Sequence, residues 1–134
     1  MTSLIIPATR NTPLIHFDPA SWHFEVSGIC VPENAGEFFE PVFGWLALNA
    51  GYLAPGSTFH FQLTYFNSTS LKALYHVLRY IKEANVMGAG LLVRWYVERD
   101  DEFMLESVAL FGQLLDLHME IVELPGEQNA SLAG

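Results

Sequence analysis

The chain has 134 residues, 51% of them apolar and 13% aromatic, which suits a folded domain with a buried core and excludes a disordered polymer. Six Lys and Arg stand against fifteen Asp and Glu, a net charge of −9. That balance argues against nucleic acid and against an anionic membrane as partners, since both call for a cationic surface.

Charge is uneven along the chain: from Glu98 to Glu127 there are nine acids and one base, Arg99. Cys30 is the only cysteine, so a disulfide framework within the chain is excluded and a reducing compartment is expected. Residues 1–12 lack a basic region followed by a long apolar one, and no apolar stretch approaches the ~18 residues of a membrane span. The reading is one domain over 1–134, located in the cytoplasm.

In chain order, Leu4 to Ile6 reads as a short strand, followed by a polar stretch over 8–12. Residues 13–17 and 22–26 read as two strands joined by Asp18-Pro19-Ala20-Ser21, with Asp and Pro at the first and second positions of a type I turn. Pro32-Glu33-Asn34 halts the chain. Asn34 with Glu37 resembles a capping box and opens a helix to about Leu48, its apolar face Phe38, Val42, Trp45 and Leu46. Pro41 within it predicts a kink or a tighter first turn.

A loop through Gly51 and Pro55-Gly56 leads to Phe59, Phe61, Leu63 and Tyr65, which alternate with His60, Gln62 and Thr64 in the period-two pattern of a strand ending at Phe66. Leu71, Leu74, Leu78 and Ile81 then recur at helical spacing, giving a second helix over about 69–86 that ends before Gly88 and Gly90. The apolar run 91–97 shows no clean alternation, as expected of a strand covered on both faces. Asp100 and Asp101 open a third helix, buried through Met104, Val108, Phe111 and Leu115. Residues 119–124 form a last strand, and 125–134 read as a frayed tail. The strand–helix–strand unit over 59–97 implies a right-handed parallel crossover, while the early hairpin adds antiparallel strands. The expected architecture is a mixed β-sheet with three helices, in the α/β or α+β class.

Where strand pattern becomes helix pattern, the chain reads Tyr65-Phe66-Asn67-Ser68-Thr69-Ser70. Three consecutive hydroxyls thus meet the N-terminus of a helix, where free N–H groups and the positive end of the dipole tolerate a phosphoryl group. Capping accounts for one such residue; three raise a functional reading. Other chemistry is sparse. His16, His23, His60, His76 and His118 are scattered, with no helical i, i+4 pair for a metal. Ser68 lacks the flanking glycines of a nucleophile elbow, and Cys30 lies in an apolar run that suits an inert thiol. Asp100, Asp101, Glu102 and Glu106 offer oxygen ligands but read more simply as a capped helix start. No catalytic residue, metal or cofactor is expected.

Several stretches together resemble the SiaC-type family of bacterial biofilm-regulating phosphoproteins, small domains with a fold like that of the anti-sigma-factor antagonists (STAS-like). They are Thr12-Pro13, Pro32-Glu33-Asn34, Phe38-Phe39-Glu40-Pro41 with Trp45-Leu46, the 65–70 segment, and Trp95-Tyr96-Val97-Glu98-Arg99-Asp100-Asp101-Glu102 with Met104 and Glu106. The resemblance implies a non-enzymatic protein phosphorylated by a Ser/Thr kinase of the histidine-kinase-like ATPase type and dephosphorylated by a PP2C-type phosphatase. It further implies that the unmodified form binds and activates a diguanylate cyclase and so raises cyclic di-GMP.

By position the acceptor is Ser68, although the family's Asn-Thr-Ser-Ser stands here as Asn-Ser-Thr-Ser, which makes Thr69 the alternative. Tyr65, Asn67, Ser68, Thr69, Ser70 and Lys72 form the expected switch and partner-binding set. Two other functions compete: a small hydrolase or ligand-binding domain using Ser68 with a nearby His or acid, and an anti-sigma-factor antagonist built on the same switch.

Overall fold

Short polar turns and three crossover helices set the sheet. The computed structural model describes residues 2–125, so the tail expected over 125–134 lies, beyond Pro125, outside the described residues. Strands β1 (Leu4–Ile6), β2 (Leu14–Asp18) and β3 (His23–Cys30) form an antiparallel meander. Strands β4 (Thr58–Phe66), β5 (Leu92–Glu98) and β6 (Glu120–Leu124) continue it in parallel, so the spatial order β1-β2-β3-β4-β5-β6 repeats the chain order. Helices α1 (Ala35–Asn49), α2 (Ser68–Val86) and α3 (Glu102–Leu115) carry the crossovers between the parallel strands. The mixed sheet with three helices is the architecture the sequence implied.

Asp18 accepts from Ala20 N–H at 3.2 Å and turns the chain through Pro19–Ser21. The turn ends at Trp22 in the left-handed region, φ 57°, so Trp22 stands outside β3 rather than opening it. The strand instead runs on past Val26 to Cys30, because its second half pairs in parallel with β4, a long-range partner no local pattern announces. Asn34 accepts from Glu37 N–H at 3.0 Å and starts α1, which passes through Pro41 as one helix. Its buried row is Ala35, Phe39, Val42, Trp45 and Leu46. Phe39 therefore replaces the expected Phe38, which is half-buried at the edge of the core. The two rings lie side by side on the helix, and packing against α2 selects between them.

The strands bury one face only. In β5, Val93, Trp95 and Val97 are buried while Leu92 and Glu98 are exposed, so the expectation of a strand covered on both faces is wrong. Leu92 and Tyr96 supplied the apolar character that hid the alternation, yet both point away from the helices. Under the helices the core is aromatic. Phe17 meets Phe59 edge-on at 5.3 Å, Phe61 stacks on Trp95 at 4.7 Å, and Trp95 reaches Phe111 at 6.2 Å. Among the described residues no helix is long and apolar enough to cross a membrane.

The ladder between β4 and β5 covers only Thr58–Phe61 against Leu92–Trp95. Beyond it β4 continues alone beside β3, with Tyr65 opposite Ile29 and Phe66 opposite Cys30. That extension delivers Asn67 and the start of α2 to one end of the sheet.

Candidate functional site

Asn67 is the cap of α2. Its backbone is extended (φ −91°, ψ 173°), and its side-chain oxygen accepts from Ser70 N–H at 3.1 Å. Asn prefers this position because its short carbonyl reaches a helix N–H that has no backbone acceptor. The helix accordingly begins at Ser68, one residue before the expected start. Thr69 Oγ1 donates to the same Asn67 oxygen at 3.0 Å, so its hydroxyl is part of the cap.

Ser68 occupies the first helical position. It is exposed, beside helix N–H groups that lack intrahelical acceptors. Lys72, also exposed, lies one turn further on the same side of α2. Tyr65 is exposed just before the junction. Ser70 is different: its side chain is fully buried, and its hydroxyl has no hydrogen-bond partner. The three hydroxyls thus separate into one free at the surface, one tied to the cap and one inside the protein.

Ser70 lies beside Cys30. Burial pushes the Cys30 thiol up, and the nearby Ser70 hydroxyl opposes this from a position that lacks the geometry of a hydrogen bond, so the cysteine stays protonated and inert. Asn67→Ala should lower stability by about 1 kcal/mol through loss of the cap. Ser70→Ala should leave stability unchanged or raise it, since it removes a buried donor that nothing satisfies. Urea unfolding of the two variants checks both signs.

Ser68 also borders a groove of about 550 Å³ between α2 and α3, whose walls include Tyr65, Leu71, Phe103, Glu106 and Leu110. Phe103 is 54% exposed and Leu110 45% exposed, although both belong to the helix that packs on the core. Phe103 rests against Phe66 at a ring distance of 5.4 Å. Neither Phe103 nor Leu110 belongs to the site residues expected from the sequence. A usable signal was present: Phe103, Leu110 and Leu114 recur at i, i+7 and i+11, a second apolar stripe beside the buried one. Large apolar side chains left exposed together mark interaction surfaces.

No histidine lines this groove, so the Ser–His arrangement of a hydrolase is not assembled around Ser68. The acidic start of α3 serves the helix itself, since Asp101 accepts from Met104 N–H at 3.0 Å and caps it. Among the described residues no three His, Cys, Asp or Glu side chains are grouped to hold a metal ion.

Solved structures share this fold. SiaC of Pseudomonas aeruginosa matches with a TM-score of 0.78 and 26% identity, over 93% of this chain and 99% of that one. SiaC in the crystal structure of the diguanylate cyclase SiaD in complex with its activator SiaC, also from Pseudomonas aeruginosa, matches at 0.77 and 28% identity, over 90% and 97% of the two chains. An uncharacterized protein of Pseudomonas aeruginosa strain UCBPP-PA14 is 32% identical over 116 residues, 84% of this chain and 90% of that one. The profile of SiaC family regulatory phosphoproteins matches residues 6–124. A 32% identical relative matched over most of both chains and a family profile covering nearly all of the described residues lead to one conclusion: the chain belongs to the SiaC family of regulatory phosphoproteins.

Proposed function

We propose that this protein is a non-enzymatic cytoplasmic switch in which Ser68 is the phosphorylated residue and the groove beside it recruits a diguanylate cyclase. The single observation that carries the reading is Ser68 itself: an exposed hydroxyl at a helix N-terminus, on the rim of an exposed apolar groove. A kinase can reach that oxygen without unfolding the helix. Thr69 is the weaker acceptor because its hydroxyl is committed to Asn67. A relative's complex with the cyclase it activates supports the choice of partner class. A kinase of the histidine-kinase-like ATPase type adds the phosphate in this scheme, and a PP2C-type phosphatase removes it.

Phosphorylation adds roughly 1.5 to 2 negative charges. The N-terminal N–H groups of α2 and Lys72 can accommodate that dianion, so the fold survives it. A partner seated against Leu71, Phe103 and Leu110 would have to strip water from the phosphate at the groove's edge, beside the carboxylate of Glu106. The result is release without refolding. Cyclic di-GMP output, and with it biofilm control, then follows the unmodified fraction. The test is a binding titration against a diguanylate cyclase of the SiaD kind from the same organism, run with the unmodified chain and with the chain phosphorylated at Ser68. Tight binding of the first and loss with the second is expected; equal affinity refutes the switch.

A further inference from the structure

The open face of the sheet carries a feature that the Ser68 switch does not use. The strand registers set Ile5, His16, Glu25, His60, Arg94 and Glu120 in one unbroken row from β1 to β6, each paired with the next across the ladder. Only Ile5 among them cannot carry charge. On β3, His23 places Nε2 2.7 Å from Glu25 Oε1, and Ser27 donates to the other carboxylate oxygen. The His23 ring also meets that of His16 at 4.5 Å. On the far side Arg94 Nε lies 2.7 Å from Glu120 Oε1.

Both carboxylates therefore have nearer partners, and His60 is left between Glu25 and Arg94 with its Nδ1 2.9 Å from the Tyr96 hydroxyl. No helix covers this face. The groups that face His60 are His23, Glu25 and Ser27 on β3 and Arg94 and Tyr96 on β5, with His16 and Glu120 one strand further out. Burial and the Arg94 charge, with a smaller contribution from His23, hold the His60 imidazole below its ordinary range; Glu25 opposes them weakly.

Position makes this consequential. His60–Arg94 is the last pair but one before β4 and β5 part at Phe61–Trp95, and β4 then runs directly to Asn67 and Ser68. We propose that protonation of His60 is an acid-sensitive release in the β4–β5 ladder, loosening the strand that leads into the start of α2. His60 and Arg94 are partners in the parallel β4–β5 register, so a charged imidazole would stand on the strand next to a guanidinium, and the repulsion between the two cations opposes that pairing. The neutral ring is the form the fold favours. Its contribution to stability is complete above the usual imidazole value of about 6.5 and is lost as the pH falls through the lower folded value. This release does not depend on Ser68 being the modified residue.

The experiment compares thermal unfolding at pH 7.5 and 5.5 for the natural chain and His60→Gln, whose amide keeps hydrogen bonding without titrating. The natural chain should lose about 3 °C more than the variant on acidification. In parallel, proton NMR should place the His60 titration in the natural chain below that of an unfolded histidine, and Arg94→Gln should move it up. Equal losses in the two proteins overturn the proposal, as does a His60 midpoint at or above the unfolded value or one that Arg94→Gln leaves in place. If His60→Gln fails to fold, the NMR titrations of the natural chain and Arg94→Gln decide alone.

Discussion

Ser68→Ala should hold its cyclase partner equally well with and without kinase and ATP, while the natural chain under the same treatment should lose about 3 kcal/mol of binding, roughly a hundredfold. Loss of two charge-sensitive contacts at the groove rim, each worth about 1.5 kcal/mol, would give that magnitude. The alanine form removes one exposed oxygen from a helix whose cap is Asn67, so its fold and its unmodified affinity should stay as they are. Isothermal titration of the cyclase against the two proteins, before and after kinase treatment, reads the difference directly. Loss of binding in untreated Ser68→Ala would mean that the hydroxyl is a contact rather than a switch.

Trp95→Ala should be the most damaging single change to the fold, costing about 3–5 kcal/mol. Trp95 is fully buried in the middle of β5, stacked on Phe61 at 4.7 Å and facing Phe111 across the sheet–helix boundary. Alanine would empty the space between β4, β5 and α3 with nothing nearby to fill it. Its indole N–H is buried without an acceptor, so Trp95→Phe gives up no hydrogen bond and should cost less than about 1.5 kcal/mol. Urea midpoints of the two variants separate lost volume from a lost polar contact. Similar losses in both would show that the ring's size matters less than the packing here implies.

Local periodicity carried much of the fold. The alternation in β4 from Phe59 to Leu63 and the Leu71, Leu74, Leu78, Ile81 spacing in α2 were legible because residues at matching spacing share the buried face. The alternation expected to reach Tyr65 breaks where the pairing with β3 shifts at Gly28–Ile29, leaving Tyr65 exposed and Phe66 buried. Caps were legible for the same local reason: Asn34 and Asp101 act as the residue chemistry suggests. What failed depended on distant partners. The second half of β3 forms only because β4 lies beside it, and β5 shows its alternation only once the helices are known to cover one side.

The site divides along the same line. That 67–70 is a helix start could be read from the sequence, whereas the burial of Ser70 against Cys30 and the commitment of Thr69 to Asn67 required three dimensions. The groove joins residues from β4, α2 and α3 that lie far apart in the chain, and no spacing rule within one element brings Tyr65 to Leu110.

The most direct test is to locate the phosphate by tandem mass spectrometry after the natural chain, Ser68→Ala and Thr69→Ala have each been incubated with the partner kinase and ATP. Phosphate is expected on Ser68 in the natural chain and in Thr69→Ala, and none in Ser68→Ala. Phosphate on Thr69, or at any position outside the α2 start, would contradict it.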